Sequence, residues 1–446
     1  MAVPSRQIGW STESNLLWGI WNDLEKVSRA INCCTNSNTP TNPTNVVLPA
    51  VSYDSFGRLR VSEPFTLFDS SHRYADNNLW STAVATGGTA VFNANQGLVD
   101  LNVTAASGSS VIRETTKVFS YQPGKSLLVL NTFVMSAAKA GLTQRVGYYG
   151  SSNGFYLEQA GTAISFVKRS IVTGSIINTP VLQADWNGDK LNGTGPSGLT
   201  LDLTKAQILW ADFEWLGVGS VRMGFVINGQ FIVCHTFNHA NIIASTYITT
   251  ASLPLRYEIF NTAGTSGAST LKQVCSTVIS EGGYELVGLQ QSAGTPITAA
   301  RTFAVAGTYY PIVSVRLKST RLDAVVIVTA ISLLGIGNGK SYQWRVVASA
   351  TTTGGLWVDA GVNSAVQYNL TGSSASGGRI LASGYVNSSN QGSPAINILK
   401  EALFANQLER DGLTGTPYEI VIEMAVATTS GGEGAFASID WEEVSR

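Results

Sequence analysis

The chain has 446 residues, 13% of them charged and 44% hydrophobic, with 45 glycines and a formal net charge of −1. This hydrophobic content excludes disorder, which pairs low hydrophobicity with high net charge. A charge this close to zero gives no global field for nucleic acid or an anionic membrane. Four cysteines (Cys33, Cys34, Cys234 and Cys275) are too few for a disulfide scaffold and read as free thiols of a reducing compartment.

The N-terminal MAVPSRQIGW lacks the apolar core of a secretory signal. The expectation is a chain made in the cytosol. Residues 9–34 carry the one clear helical pattern of the N-terminal half, with Leu17, Ile20, Leu24, Val27 and Ile31 spaced as a coiled-coil seam. Gly19 weakens this helix by ~1 kcal/mol, so it needs partner chains or a docking surface over the seam. NCCTNSNTPTNPTN follows as an extended linker, because its two prolines cannot continue a helix.

From residue 46 onward, short apolar or alternating runs are separated by Gly, Ser, Asn and Asp clusters. The strongest is VRMGFVINGQFIVCHTF. Val221, Met223, Phe225 and Ile227 alternate, Asn228-Gly229 makes a two-residue turn, and Phe231, Val233, His235 and Phe237 alternate on the return. Further strands are expected at SLLVLNTFVMS, QILWADFEWLG, LPLRYEIFN and LKQVCSTVIS. Beyond a turn-rich junction near 281–296 come YYPIVSVRLKS, DAVVIVTAISLL, YQWRVVAS, RILASGYV, YEIVIEMAVAT and AFASIDWEEV. A helix is expected over NILKEALFANQLER, with Ile398, Leu399, Leu403 and Leu408 on one side. The longest apolar run, from Ala324, is shorter than the ~18 residues a spanning helix needs and suits a buried strand, so no membrane insertion is expected.

The predicted fold is mainly β: two antiparallel β-sandwich or jelly-roll domains (46–288 and 289–446) behind an N-terminal coiled-coil-like helix and extended linker (1–45).

The candidate chemical motifs have plain structural readings. LGIGNGKS (334–341) has Leu334 where a phosphate loop needs its first glycine, and reads as a glycine-rich hairpin turn. GVGSVRMG has its third glycine at the wrong spacing for a dinucleotide fingerprint. Asp185, Asn187 and Asp189 resemble the first half of a calcium loop, but Lys190 and Pro196 stand where glycine and glutamate are required; an Asx-rich turn is the default. His235 and His239 fall on one strand face and Cys234 on the other, so three zinc ligands do not converge locally. Asp212 and Glu214, about 7 Å apart by strand rise, could serve glycoside hydrolysis but read first as a solvated strand face. No cofactor, no metal and no enzymatic activity are expected.

RQIGWSTESNLLWGIWNDLEKV resembles a segment of virion structural proteins of tailed bacteriophages, those of cyanobacterial and marine phages especially. Gly9, Trp10, Ser11, Glu13, Ser14, Asn15, Leu16, Leu17 and Trp18 carry the match. SFGRLRVSEPFTLFDSSHRYADN, and the stretch from WNGDKLNGTGPSG to FEWLGVGSVRMGFVINGQFIVCHTFNHAN, are similar to the same group. The closing SIDWEEV resembles how such chains end. The resemblance covers about the first 285 residues. It implies a virion component assembled in the host bacterial cytoplasm: a trimeric tail fibre, spike or similar appendage, contacting other virion proteins. Trp10, Leu17, Ile20, Leu24, Val27 and Ile31 are its candidate anchoring and oligomerisation residues. The alternatives are a carbohydrate-binding or glycan-cleaving module that meets a host surface glycan, and a head-decoration or neck protein.

Overall fold

A computed structural model of the chain describes residues 23, 24, 26, 64–285, 287–389 and 406–445. Asp23, Leu24 and Lys26 are helical and exposed. The other predicted seam residues (Leu17, Ile20, Val27 and Ile31) and Trp10 lie outside the described residues.

The remainder belongs to one compact unit that begins at Ser52. Its first fifteen strands are β1 (Pro64–Ser71), β2 (Trp80–Ala85), β3 (Thr89–Asn93), β4 (Leu98–Val103), β5 (Ser110–Thr115), β6 (Ser126–Val134), β7 (Leu142–Tyr149), β8 (Gly154–Ala160), β9 (Ala163–Ser170), β10 (Ile177–Leu182), β11 (Gln207–Phe213), β12 (Val221–Ile227), β13 (Gln230–Phe237), β14 (Leu255–Asn261) and β15 (Ser269–Glu281). They form an eight-stranded sheet, β13-β12-β11-β6-β15-β4-β3 with β1 also on β15, and a seven-stranded sheet, β10-β9-β8-β7-β14-β5-β2. All these pairings are antiparallel. Strict alternation turns Leu101, Val129, Phe133, Val146, Phe166, Met223 and Tyr257 into one core between the two sheets. Each such side chain contributes about 1.5–3 kcal/mol of burial.

The remaining strands are β16 (Leu289–Gly294), β17 (Arg301–Thr302), β18 (Tyr310–Leu317), β19 (Val325–Ile336), β20 (Ser341–Thr353), β21 (Val358–Asp359), β22 (Val366–Asn369), β23 (Ser374–Asn387), β24 (Arg410–Asp411), β25 (Thr416–Pro417), β26 (Glu419–Val426) and β27 (Gly434–Ser445). A four-stranded sheet (β16, β17, β19 and β27) faces a six-stranded one, β21-β22-β18-β26-β20-β23, across a second core around Val313, Ile331, Trp344, Ile422 and Trp441. β24 and β25 make a small hairpin of their own.

Two expectations change. The Asn228-Gly229 turn forms with φ of 52° and 76°, as a tight hairpin requires, but β13 does not alternate throughout. Cys234 is an extra residue opposite the Met223–Gly224 step. This bulge puts Cys234 in the core and leaves Phe231 50% exposed beside Trp210. In the second change, residues 406–410 are extended rather than helical. Leu408 N donates to Val326 O at 2.9 Å, Val328 N donates to Asn406 O at 3.1 Å, and Leu408 is buried. Backbone pairing to β19 outweighs the local helical preference. Residues 397–405 of that predicted helix lie outside the described residues.

Candidate functional site: a buried ionic chain on the outer sheet face

Alternation that sends Val146 and Tyr148 of β7, Leu157 of β8 and Tyr257 of β14 into the core sends their neighbours to the opposite face. Those neighbours are Arg145, Tyr149, Tyr156, Glu158, Arg256 and Glu258. Register then sets partners: Arg145 stands opposite both Glu158 and Glu258, and Arg256 stands opposite Glu114 of β5.

The result is a continuous chain of alternating charge. Arg145 Nε lies 2.6 Å from Glu158 Oε2, and its Nη1 lies 3.0 Å from Glu258 Oε2. Arg256 Nε is 2.7 Å from Glu258 Oε1 and its Nη1 is 3.4 Å from Glu114 Oε2. Glu114 Oε1 is 2.8 Å from Arg410 Nη2, which also reaches Asp323 Oδ1 at 3.2 Å. Glu114, Glu258 and Arg410 are almost wholly buried.

An aromatic pair underlies one end of this chain. The rings of Tyr149 and Tyr156 are 4.4 Å apart, and both are fully buried. The Arg169 guanidinium lies 5.1 Å from the Tyr156 ring and 5.4 Å from that of Tyr149; Arg145 and Arg256 cover one ring each. Arg169 also donates to Asn178 Oδ1 (3.0 Å) and Gly150 O (3.3 Å), tying the β7–β8 turn to the face.

The other end joins the two sandwiches. Arg410 N donates to Thr116 O and its Nη1 to Thr115 O, both at 2.8 Å. Gln407 Nε2 donates to Val118 O at 2.8 Å. Glu409 sits 3.5 Å from Lys117 and 3.8 Å from Arg379 of β23. Residues 406–410 are therefore a ribbon hydrogen-bonded to the first sandwich on one side and to β19 on the other. A Cβ at Gly412 would overlap the Glu114 carboxylate and the Arg410 guanidinium, so any side chain there must displace this ion pair.

Electrostatics follow from burial. Desolvation raises the Glu114 carboxyl above its ordinary value, against the pull of Arg410 and Arg256. Burial likewise lowers Lys117, and Glu409 opposes it. Each carboxylate on this face is held by at least one guanidinium, so removing either partner would leave an uncompensated buried charge.

The residues singled out from sequence lie elsewhere. Asp212 and Glu214 are on no solvated face: both are fully buried, and Asp212 pairs with Arg222, its cross-strand neighbour on β12. That burial removes the open carboxylate pair a glycosidase needs. Asp189 is buried and accepts from Leu191 N (2.9 Å) and Ser197 N (2.7 Å), while Asp185 is exposed. Asn187 exchanges two hydrogen bonds with Thr236. The loop is thus an Asx-built turn that closes the β13 edge. His235 Nδ1 accepts from Asn187 N at 3.3 Å. His239 stacks on Tyr247 at 3.9 Å and donates from Nδ1 to Gly219 O at 2.8 Å. Burial brings the His239 imidazole to about 4 and pushes the Cys234 thiol up to about 12. Among the described residues no three His, Cys, Asp or Glu side chains converge on a metal site.

The ionic chain was missed in the sequence. Its signal is the alternation in LRYEIF, QRVGYY and FYLEQ, where Arg256 and Glu258, Arg145, and Glu158 stand between core-facing apolar residues. Only the pairing register joins those charges. A separate shallow groove of about 230 Å³ lies between β1, β15 and β6, lined by Asp69, Ser71, Leu130, Thr132, Cys275 and Thr277.

No protein-family model matches the chain. No curated protein matches it either. Solved structures to which the chain is weakly similar include the carbohydrate recognition domain of Emp47p (12% identity, TM-score 0.31, 48% of this chain and 96% of that one). A Bacteroides ovatus mixed-linkage glucan GH16 protein is similar over 48% of this chain and 99% of its own, at 9% identity and TM-score 0.33. The legume lectin-like domain from Entamoeba histolytica matches over 48% of this chain and 97% of its own, at 12% identity and TM-score 0.28. Similarity at this level carries no function across.

Proposed function

We propose that the protein is a non-catalytic structural component of a tailed-phage particle, an oligomeric fibre, spike or similar appendage. Its N-terminal seam (Leu17, Ile20, Leu24, Val27 and Ile31) attaches it to its own copies or to other virion proteins. The observation that carries this reading is the buried ionic chain with the 406–410 ribbon, which makes two sandwiches one mechanical piece. An appendage under load needs such a joint. The N-terminal resemblance supplies the particle. The test is immunodetection of the chain in purified particles, together with its mass in solution. A monomer that is absent from particles overturns the reading; an oligomer that co-purifies with them supports it.

A second reading is recognition of a host-surface glycan by the second sandwich. It draws on Trp357, half-buried with the Arg316 guanidinium 3.9 Å from its ring centre, beside exposed Leu356 and Val358. A glycan array with wild type and Trp357→Ala decides it: binding that the substitution abolishes supports the reading, and an empty array ends it.

A further inference from the structure

The eight-stranded sheet has an outer face that the ionic chain does not touch. Val129 and Phe133 of β6, Leu209 and Ala211 of β11 and Phe225 of β12 enter the core, so Leu130, Thr132, Ile208, Trp210 and Val226 point away from it. On β1, Ser70 Oγ accepts from Trp80 Nε1 inside the sandwich at 2.9 Å, which turns Asp69 and Ser71 outward. Register aligns these residues across six strands. Thr132 stands opposite both Ile208 and Cys275, and Cys275 stands opposite Ser71. Val226 and Ile208 lie one step beyond the Leu209–Phe225 pair, and Val226 stands opposite Phe231. A second row runs beside the first through Asp69, Thr277, Leu130 and Trp210.

One end of these rows is the groove of about 230 Å³ between β1, β15 and β6. The other end is Phe231, half-exposed and packed on the edge of Trp210. The groove is smaller than the ~300–1,000 Å³ of pockets that enclose a drug-sized ligand, so it suits one ring of a longer molecule. Its chemistry is mixed. Leu130 gives an apolar floor. Thr132 Oγ1 accepts from Cys275 Sγ at 3.4 Å and keeps its own proton to donate. Thr277 Oγ1 donates to Phe68 O at 2.9 Å and keeps lone pairs to accept. The Asp69 carboxylate and the Ser71 hydroxyl are exposed and carry no hydrogen bond among the described residues. No cation lines the groove, and Lys272 and Arg222 on this face are held by Asp100 and Asp212.

We propose that this face binds a neutral oligosaccharide, with one sugar ring in the groove and the chain crossing the strands toward Phe231. A sugar ring presents hydroxyls that both donate and accept beside apolar C–H faces. The groove answers the hydroxyls with Asp69, Ser71, Thr132 and Thr277, and the C–H faces meet Leu130, Ile208 and the Phe231 ring. The five steps from β1 to β13 cover about 24 Å at the usual strand spacing, room for a chain of several sugars. A peptide strand would need free backbone groups, and between β1 and β13 those of the sheet are engaged in its ladder. An anionic ligand would meet Asp69 with no cation in the groove to offset it. The site lies on the first sandwich and uses neither Trp357 nor the N-terminal seam, so it is independent of both readings above.

The full chain is titrated by calorimetry with neutral hexasaccharides (β-1,4-glucan, β-1,3-glucan, α-1,4-glucan and β-1,4-mannan) and with a heparin hexasaccharide for comparison. At least one neutral hexasaccharide should bind, and more tightly than heparin. Asp69→Ala should weaken that binding at least tenfold and Phe231→Ala at least threefold, with unchanged circular dichroism spectra, because both side chains are at the surface. Exposed Cys275 lies in the groove and reports on the unaltered protein: the bound hexasaccharide should slow its labelling by iodoacetamide at least threefold. Trp357→Ala should leave the binding unchanged. No binding by any neutral hexasaccharide, tighter binding of heparin, or failure of either the Asp69→Ala loss or the Cys275 protection overturns the proposal. Binding that Trp357→Ala abolishes while Cys275 labelling stays unchanged overturns it too, and assigns the sugar to the second sandwich.

Discussion

Replacing Arg410 by methionine removes the one group that belongs both to the ionic chain and to the ribbon between the sandwiches. The side chain keeps its apolar length but loses contacts to Glu114 at 2.8 Å, Thr115 O at 2.8 Å and Asp323 at 3.2 Å. Glu114 is then left almost fully buried with only Arg256, at 3.4 Å, to balance it. Breaking a buried pair in this way costs about 3–5 kcal/mol. For a cooperative unit the size of one sandwich that is a fall in Tm of roughly 10 °C. Calorimetry should show more than a shift: the single transition of the wild type should split, because the joint and not either core is damaged. The deficit should also depend on pH. The Glu114 carboxyl is already raised by burial, and losing Arg410 lifts it further. The penalty is therefore present above the folded-state value and fades as the pH falls through it and the group is protonated. Gly412→Ala, which pushes a methyl group into the same pair, should reproduce the split, and Arg73→Met, on an exposed arginine, should do nothing. A single transition within 2 °C of wild type for Arg410→Met would refute the reasoning.

Acid should weaken the fold through His72 and His239. Burial, with Arg113 adding to it at His72, takes both to about 4 from 6.5, so below pH 6.5 the unfolded chain binds protons that the native chain refuses. The loss grows as pH falls from 6.5 to 4 and reaches about 3 kcal/mol for each residue; urea midpoints across that range measure it, and His239→Phe should remove about half. Asp189→Ala strips the acceptor from Leu191 N and Ser197 N, and should cost about 1–3 kcal/mol in the same assay; calcium or a chelator should leave wild-type Tm unchanged, because both carboxylate oxygens are already engaged. Iodoacetamide labelling followed by peptide mapping should mark exposed Cys275 and spare Cys234, whose thiol is buried and pushed up to about 12; equal labelling would contradict the burial.

Strand existence was legible in the sequence wherever alternation was clean. Val221 to Ile227 and the Asn228-Gly229 turn form as their pattern and turn chemistry require, because both are local properties. What fails locally does so for non-local reasons. The face of β13 depends on Cys234, whose extra place in the ladder exists only relative to β12. Residues 406–410 read as helix because Leu408 falls on the same side of the expected helix as Ile398, Leu399 and Leu403, yet Val326 and Val328 offer that backbone a ladder that no local pattern records. The candidate site shows the same division more sharply. The alternation in LRYEIF correctly puts Arg256 and Glu258 on one face. The sequence contains nothing to say that Arg145, more than a hundred positions earlier, lies opposite Glu258, or that Arg410 arrives from the other sandwich to meet Glu114. Asp212 and Arg222 mark the limit of what could have been read. They are ten residues apart, across the short connection between β11 and β12, and the register of that connection sets one opposite the other. Counting back from the turn at residues 214–220 would have found the ion pair and ruled out the open carboxylate. A charge on a strand should therefore be tested against its sequence-near partner strand before it is given to solvent or to catalysis. Where that partner is distant in sequence, as for Arg145, only the fold can supply it.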